Sequence, residues 1–140
     1  MFTEYGKTTI LNLLRGGSDS NPFTTIYLGL SQTEPTVSSD NNWNFREPHS
    51  TTGYAKKLLN TKYMPGDYVA FAQVENGVLT NDKEIHFNVA TSEWGTITHV
   101  GLFTGSNLIA FAALDQPITP VKDNVVVVPK EAFKIKFKDE

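Results

Sequence analysis

Three histidines, His49, His86 and His99, are the first residues to weigh for chemistry, because imidazole is the commonest metal ligand and titrates nearest neutrality. They stand far apart, with no His-x-His or HExxH spacing that would turn two ring nitrogens toward one ion. Each reads as a solvated or hydrogen-bonded structural residue, and His99, in the best-organised strand and near Trp94, is the one to watch. Glu84 and Glu93 would serve as a glycosidase pair only if folding brought them within about 5–10 Å of each other. None of the serines between Gln32 and Thr52 sits in a G-x-S-x-G elbow. The run SSDNNWN, residues 38–44, offers oxygen ligands but lacks the ordered spacing and terminal glutamate of a calcium loop. RGGSDSN, residues 15–21, does not follow a strand and open a helix, as a phosphate cradle must. The expectation is a protein with no catalytic residue, no metal and no cofactor.

Composition narrows the remaining classes. A chain of 140 residues suits one domain, which buries about 68–70% of the surface its unfolded form exposes. With no cysteine, the fold depends on neither disulfides nor a thiolate-bound metal. Twelve basic residues against 15 acidic ones leave a net charge of −3, too little field to attract a polyanion, so nucleic acid is not an expected partner. The longest apolar runs, residues 108–114 and 125–128, fall far short of the ~20 residues of a spanning helix, so no membrane is expected either. The amino end lacks a basic leader region and carries Glu4 early, which reads as folded protein not exported by the general route.

The elements that would position any site follow from periodicity. Thr3 is suited to cap a helix running to about Arg15, with Ile10, Leu11 and Leu14 on one stripe, Leu13 beside it, and Gly16-Gly17 as its stop. From Thr24 the period becomes two: Ile26, Leu28 and Leu30 share one face of a strand, Tyr27, Gly29 and Ser31 the other. Gln32 to Thr52 is polar and long enough to be functional or mobile. In it, Trp43 and Phe45 either fold back on the domain or await a partner. Further strands are expected at Tyr54–Leu59, Tyr68–Val74, Val78–Thr80, Ile85–Val89, Thr96–Phe103, Leu108–Leu114, Asn124–Val128 and Phe133–Phe137. Asn76-Gly77 is a type I′ turn signal, and residues 104–107 close the next hairpin.

Strict alternation puts Ile97, His99, Gly101 and Phe103 on one face and Thr96, Thr98, Val100 and Leu102 on the other. A hairpin apolar on both sides is either covered twice within the chain or faces another protein. In the last strand, Lys134, Lys136 and Lys138 alternate with Phe133, Ile135 and Phe137, as on an edge strand kept from aggregating. The fold class expected is mainly β: a single antiparallel β-sandwich or jelly roll (residues 18–140) with one short amino-terminal helix and linker (residues 1–17).

Five segments, ILNLLRG, IYLGLSQTEPT, GYAKKLL, WGTITHVGLF and NLIAFAAL, together resemble a family of small tailed-bacteriophage virion proteins, some tail-fibre-like and some similar to capsid decoration, or cement, proteins. The likeness runs from about Ile10 to Val128, and its most specific piece is Trp94-Gly95-Thr96 with His99-Val100-Gly101. The chain departs from the family in retaining only Gly53 ahead of Tyr54-Ala55, and in its loop at Gln32–Thr52.

The resemblance implies a non-enzymatic virion component, assembled in the bacterial cytoplasm as a dimer or trimer. Its partners would be the major capsid protein or tail proteins of the same virion. Attachment to the outside of the head is the first expectation, a tail, baseplate or fibre role the alternative, and a carbohydrate-binding module the second alternative. The residues expected to make such contacts are Phe2, Tyr5 and Leu13 at the amino end, Trp43 and Phe45 in the loop, and Ile97, His99 and Phe103 in the hairpin.

Overall fold

A computed structural model of the chain describes residues 1–15, 25–40, 42–61 and 74–136. The expected glycine stop at Gly16-Gly17, most of the strand from Tyr68, and Phe137 onward lie outside the described residues. The fold is mainly β, as expected, with antiparallel sheets and one α-helix among the described residues.

Helix α1 spans Glu4–Arg15. Strands follow in chain order: β1 Thr25–Ser31, β2 Thr36–Val37, β3 Trp43–Asn44, β4 Lys57–Thr61, β5 Val78–Thr80, β6 Ile85–His86, β7 Ile97–Thr104, β8 Asn107–Ile118, β9 Val127–Val128 and β10 Lys134–Lys136. The central sheet has the order β4-β1-β7-β8, and the remaining strands pair as ribbons β10-β5, β2-β3 and β6-β9. One face of the sheet carries Ile26, Leu28 and Leu30, packed with Leu102, Leu59, Tyr54, Ile85, Phe87 and Trp94 into the main core. Each such aliphatic or aromatic group contributes about 1.5–3 kcal/mol on burial. The opposite face holds a smaller cluster, Phe103, Leu108 and Phe111.

Two turns have the geometry their residues require. Asn76 (φ 53°) and Gly77 (φ 75°) are both left-handed, and Glu75 and Val78 exchange backbone bonds across them, as in a type I′ turn. Between β7 and β8 only Gly105 is left-handed (φ 57°), the pattern of a type II′ turn.

Several strands differ in length from the periodic reading. β8 runs on to Ile118, whereas β6 and β9 keep two residues each, their neighbours continuing the pairing through Phe87 N to Val126 O, Ala90 N to Asn124 O and Asp123 N to Ala90 O. β4 starts at Lys57 because Tyr54 is drawn inward to 7% exposure, its ring edge-on to Trp94.

The β7–β8 register shifts twice, between Ile97 and His99 and again between Leu102 and Phe103. At the first shift two steps of β7 oppose five of β8, and Ile97 lies in the main core at 0% exposure and not on the face of His99 and Phe103, correcting the strict alternation. The second is a β-bulge, one extra residue in β8 that reverses its alternation: Ile109, unpaired opposite Leu102–Phe103, turns into the main core, away from Leu108 and Phe111.

Candidate docking surfaces

The polar stretch from Gln32 to Thr52 is a strap laid across the second face of the sheet. It contains the β2–β3 ribbon and a 3-10 turn at Ser50–Thr52, so it is not structureless. Its seat is formed by two glycines in register, Gly29 opposite Gly101. A Cβ on Gly101 would lie 2.6 Å from the Phe45 ring, and one on Gly29 3.2 Å from it, so only the bare backbone leaves room for the aromatic. Phe45 meets Phe103 edge to face at 4.9 Å between centroids, and Trp43 tilts onto Phe111 at 5.1 Å. Both aromatics fold back and cover the hairpin's second face.

Polar bonds fix the strap along its length. Gln32 N donates to Arg46 O (2.8 Å), and Arg46 N donates to Ser31 Oγ (3.1 Å). The Tyr54 hydroxyl accepts from Leu30 N (2.9 Å), taking a place in the ladder where β4 has ended, and donates to Glu47 Oε1 (2.6 Å). Glu47 Oε2 in turn accepts from Lys56 (2.8 Å), whose ammonium stands 4.5 Å from the centre of the Phe103 ring. Burial, reinforced by the bond to Glu47, holds the Tyr54 phenol well above its ordinary range.

Trp94 clasps both ends of the strap. Its indole N–H donates to Thr52 O (2.9 Å), while its own carbonyl accepts from Gln32 Nε2 (2.7 Å). Gly95 turns the chain at φ 73° directly beside that glutamine. The most specific sequence motif thus has a structural explanation: it closes a 21-residue excursion, residues 32–52, onto the sheet.

The amino-terminal segment has a different character. Met1 and Phe111 exchange two backbone bonds (2.6 and 2.9 Å), and Thr3 N donates to Ile109 O (2.9 Å), so residues 1–3 line the edge of β8. The bulge brings the Ile109 carbonyl within reach. Thr3 Oγ1 donates to Leu108 O (2.6 Å) and accepts from Gly6 N (3.1 Å), which makes it the helix cap expected from sequence. Gly6 lies against Ile109 so closely that an added Cβ would collide with its carbonyl oxygen. Thr9 and Ile10 are half-buried, and every residue from Leu11 to Arg15 is exposed.

The residues expected to make contacts therefore separate into groups. Ile97 and Phe103 are buried within this chain, and Phe2, Trp43, Phe45 and His99 are half-buried, His99 Nδ1 lying 2.8 Å from Thr98 Oγ1. Tyr5 and Leu13 on α1 are exposed. Leu11 (62%) and Leu14 (80%) are more exposed still; the helical periodicity marked them, but only a view of the uncovered helix distinguishes them from core positions.

The other residues weighed for chemistry hold separate posts. His49 Nδ1 accepts from Thr51 N (3.2 Å) and caps the 3-10 turn. His86 lies exposed opposite Val127, and Glu84 and Glu93 are exposed on separate stretches. Among the described residues no group of three or more His, Cys, Asp or Glu is placed to hold a metal. An apolar cleft of about 150 Å³ opens between the hairpin and β10, lined by Phe2, Val100, Leu102, Ala110, Phe133 and Ile135.

The class these features define is a structural β protein, whose most distinctive motif holds a strap in place. The chain belongs to a phage structural family: the model of Podophage GP4 fiber I protein gp80 matches residues 1–136. This makes the protein a virion component. A search of curated proteins finds no match to the chain. No helix among the described residues is long and apolar enough to cross a membrane.

Proposed function

We propose that the protein is a non-enzymatic fibre component of the phage tail, a rigid β body mounted on other virion proteins. The match to a fibre family over residues 1–136 carries this reading. The architecture is consistent with it: strap, sheet and ribbons form a tightly bonded body, and the exposed leucines are gathered on one projecting element. Mounted in several copies, such a body gains from avidity, which exceeds single-site affinity by about 10²–10⁴ when later contacts become intramolecular.

The rival reading is a decoration protein on the head, favoured by the absence from the sequence of any repeat able to form a shaft. Gold-labelled antibody against the protein, imaged on intact particles, separates them. Label confined to the tail supports the fibre role, and a regular lattice over the head replaces it with decoration.

A further inference from the structure

Asn76 stands before Gly77 at the tip of the turn that leads into β5, and no other asparagine of the chain precedes a glycine. Glycine is the residue that leaves its own backbone nitrogen least screened. Glu75, Asn76 and Gly77 are all exposed, and a Cβ built on Gly77 would meet nothing within 4 Å. Two backbone bonds close the turn, Val78 N to Glu75 O (2.9 Å) and Glu75 N to Val78 O (3.1 Å), and both central residues lie outside them. Among the described residues neither the Asn76 carboxamide nor the Gly77 N–H has a hydrogen-bond partner. An electrophilic carbon and a backbone nitrogen are thus neighbours in sequence, both solvated and both uncommitted.

The other asparagines lack one condition or another. Asn12, Asn42, Asn44, Asn88, Asn107 and Asn124 are exposed, but each is followed by Leu, Trp, Phe or Val, whose side chain crowds the attacking nitrogen. Asn81 is 0% exposed, and its carboxamide donates to Lys83 O (2.9 Å) and Pro129 O (2.8 Å) while accepting from Phe133 N (2.9 Å), so it is not free to turn on its own backbone.

We infer that Asn76 is a site of spontaneous covalent modification, an intramolecular deamidation whose one co-reactant is water. The Gly77 nitrogen gives its proton to a solvent base and attacks Cγ of Asn76. The N–Cγ bond forms, the Cγ–Nδ2 bond breaks, and the side-chain nitrogen takes up a proton and leaves as ammonia, closing a succinimide ring. Water then adds to one of the two ring carbonyls and breaks its bond to nitrogen. Opening at Cγ gives aspartate, and opening at the main-chain carbonyl gives isoaspartate, whose main chain runs through Cβ and Cγ. Nothing is oxidised or reduced. Aspartate keeps the turn, because Asp-Gly suits the same type I′ geometry, and adds one negative charge to the net of −3. Isoaspartate inserts a methylene between Glu75 and Val78, so the pair cannot keep both of its bonds. The pairing of β5 with β10 lies beyond the insertion and confines the change to the tip.

The test incubates the purified full-length protein in mildly alkaline buffer, folded and in urea, beside Asn76→Gly, which retains two residues able to take positive φ. Peptide mapping by mass spectrometry follows every asparagine, and enzymatic methylation reads isoaspartate. In the folded protein Asn76 should gain one mass unit ahead of every other asparagine and yield both products. A hairpin tip opens at little cost, so the folded rate should lie within roughly tenfold of the rate in urea. Asn76→Gly should abolish the isoaspartate signal. Asn76 left intact, or overtaken by another asparagine, overturns the inference. Protection in the folded protein beyond that factor also overturns it, because the closed turn would then hold the ring-forming geometry out of reach. An isoaspartate signal that persists in Asn76→Gly places the site elsewhere and overturns it too.

Discussion

The strap and the amino-terminal helix exchange the fates their sequences lead one to expect. Residues 32–52 are polar and aperiodic, yet their two large aromatics are seated against the sheet. Residues 4–15 have a clear apolar stripe, yet Leu11, Leu13 and Leu14 face outward. Local pattern fixes which element forms, whereas burial depends on whether a seat of the right shape lies opposite. Gly29 and Gly101, paired across β1 and β7, make that seat for Phe45, whereas Gly6 is the one buried residue of α1 and no comparable seat lies under it among the described residues.

The strap side of the comparison is the easiest to break. Filling the seat with Gly101→Val drives methyl groups into the Phe45 ring and the Leu108 side chain, and should destabilise by about 1–3 kcal/mol or more. Urea unfolding should show this as a lower midpoint. Phe45→Ala removes the ring instead and should cost up to about 3 kcal/mol, the low end for aromatic truncation, because the ring keeps partial exposure. If both variants unfold like wild type, the strap is not part of the packed body.

Tyr54→Phe sharpens the comparison through pH. The folded protein holds this phenol's pKa above its unfolded value near 10, so the folded state keeps a proton that the unfolded state loses. The resulting stability is fully present below pH 10 and declines as pH rises past it, at up to about 1.4 kcal/mol per pH unit. Urea midpoints between pH 8 and 11 should fall more steeply for wild type than for Tyr54→Phe. Parallel profiles would mean that the phenol is not held as described. A smaller effect is expected on the helix side: Thr3→Ala removes the cap and should cost about 1–2 kcal/mol, read as reduced helical circular dichroism together with a lower midpoint.

How much of this could be read in advance depended on whether the cause was local. The Thr3 cap, the Asn76-Gly77 turn and the alternation of β1 are set by neighbouring residues, and they are found where periodicity and turn chemistry put them. Ile97 and Ile109 escaped, because both lie where the β7–β8 register shifts, and that register is set by the pairing of the two strands and not by the period of either one. The clasp at Trp94 was visible as a motif but not as a mechanism, since both partners, Gln32 and Thr52, lie some 40 residues or more away. Among the residues expected to make contacts, alternation could not separate the buried Ile97 and Phe103 from the exposed Leu13, because exposure is decided by what folds over each strand or helix.

The central claim is that the strap's aromatics belong to the folded body whereas the helix's leucines do not. Its most direct test is urea unfolding of Phe45→Ala beside Leu11→Ser/Leu14→Ser under one set of conditions. The account predicts a clear loss of midpoint for the first and a change within about 0.5 kcal/mol for the second. A leucine variant destabilised as much as the phenylalanine variant, or a phenylalanine variant as stable as wild type, would contradict it.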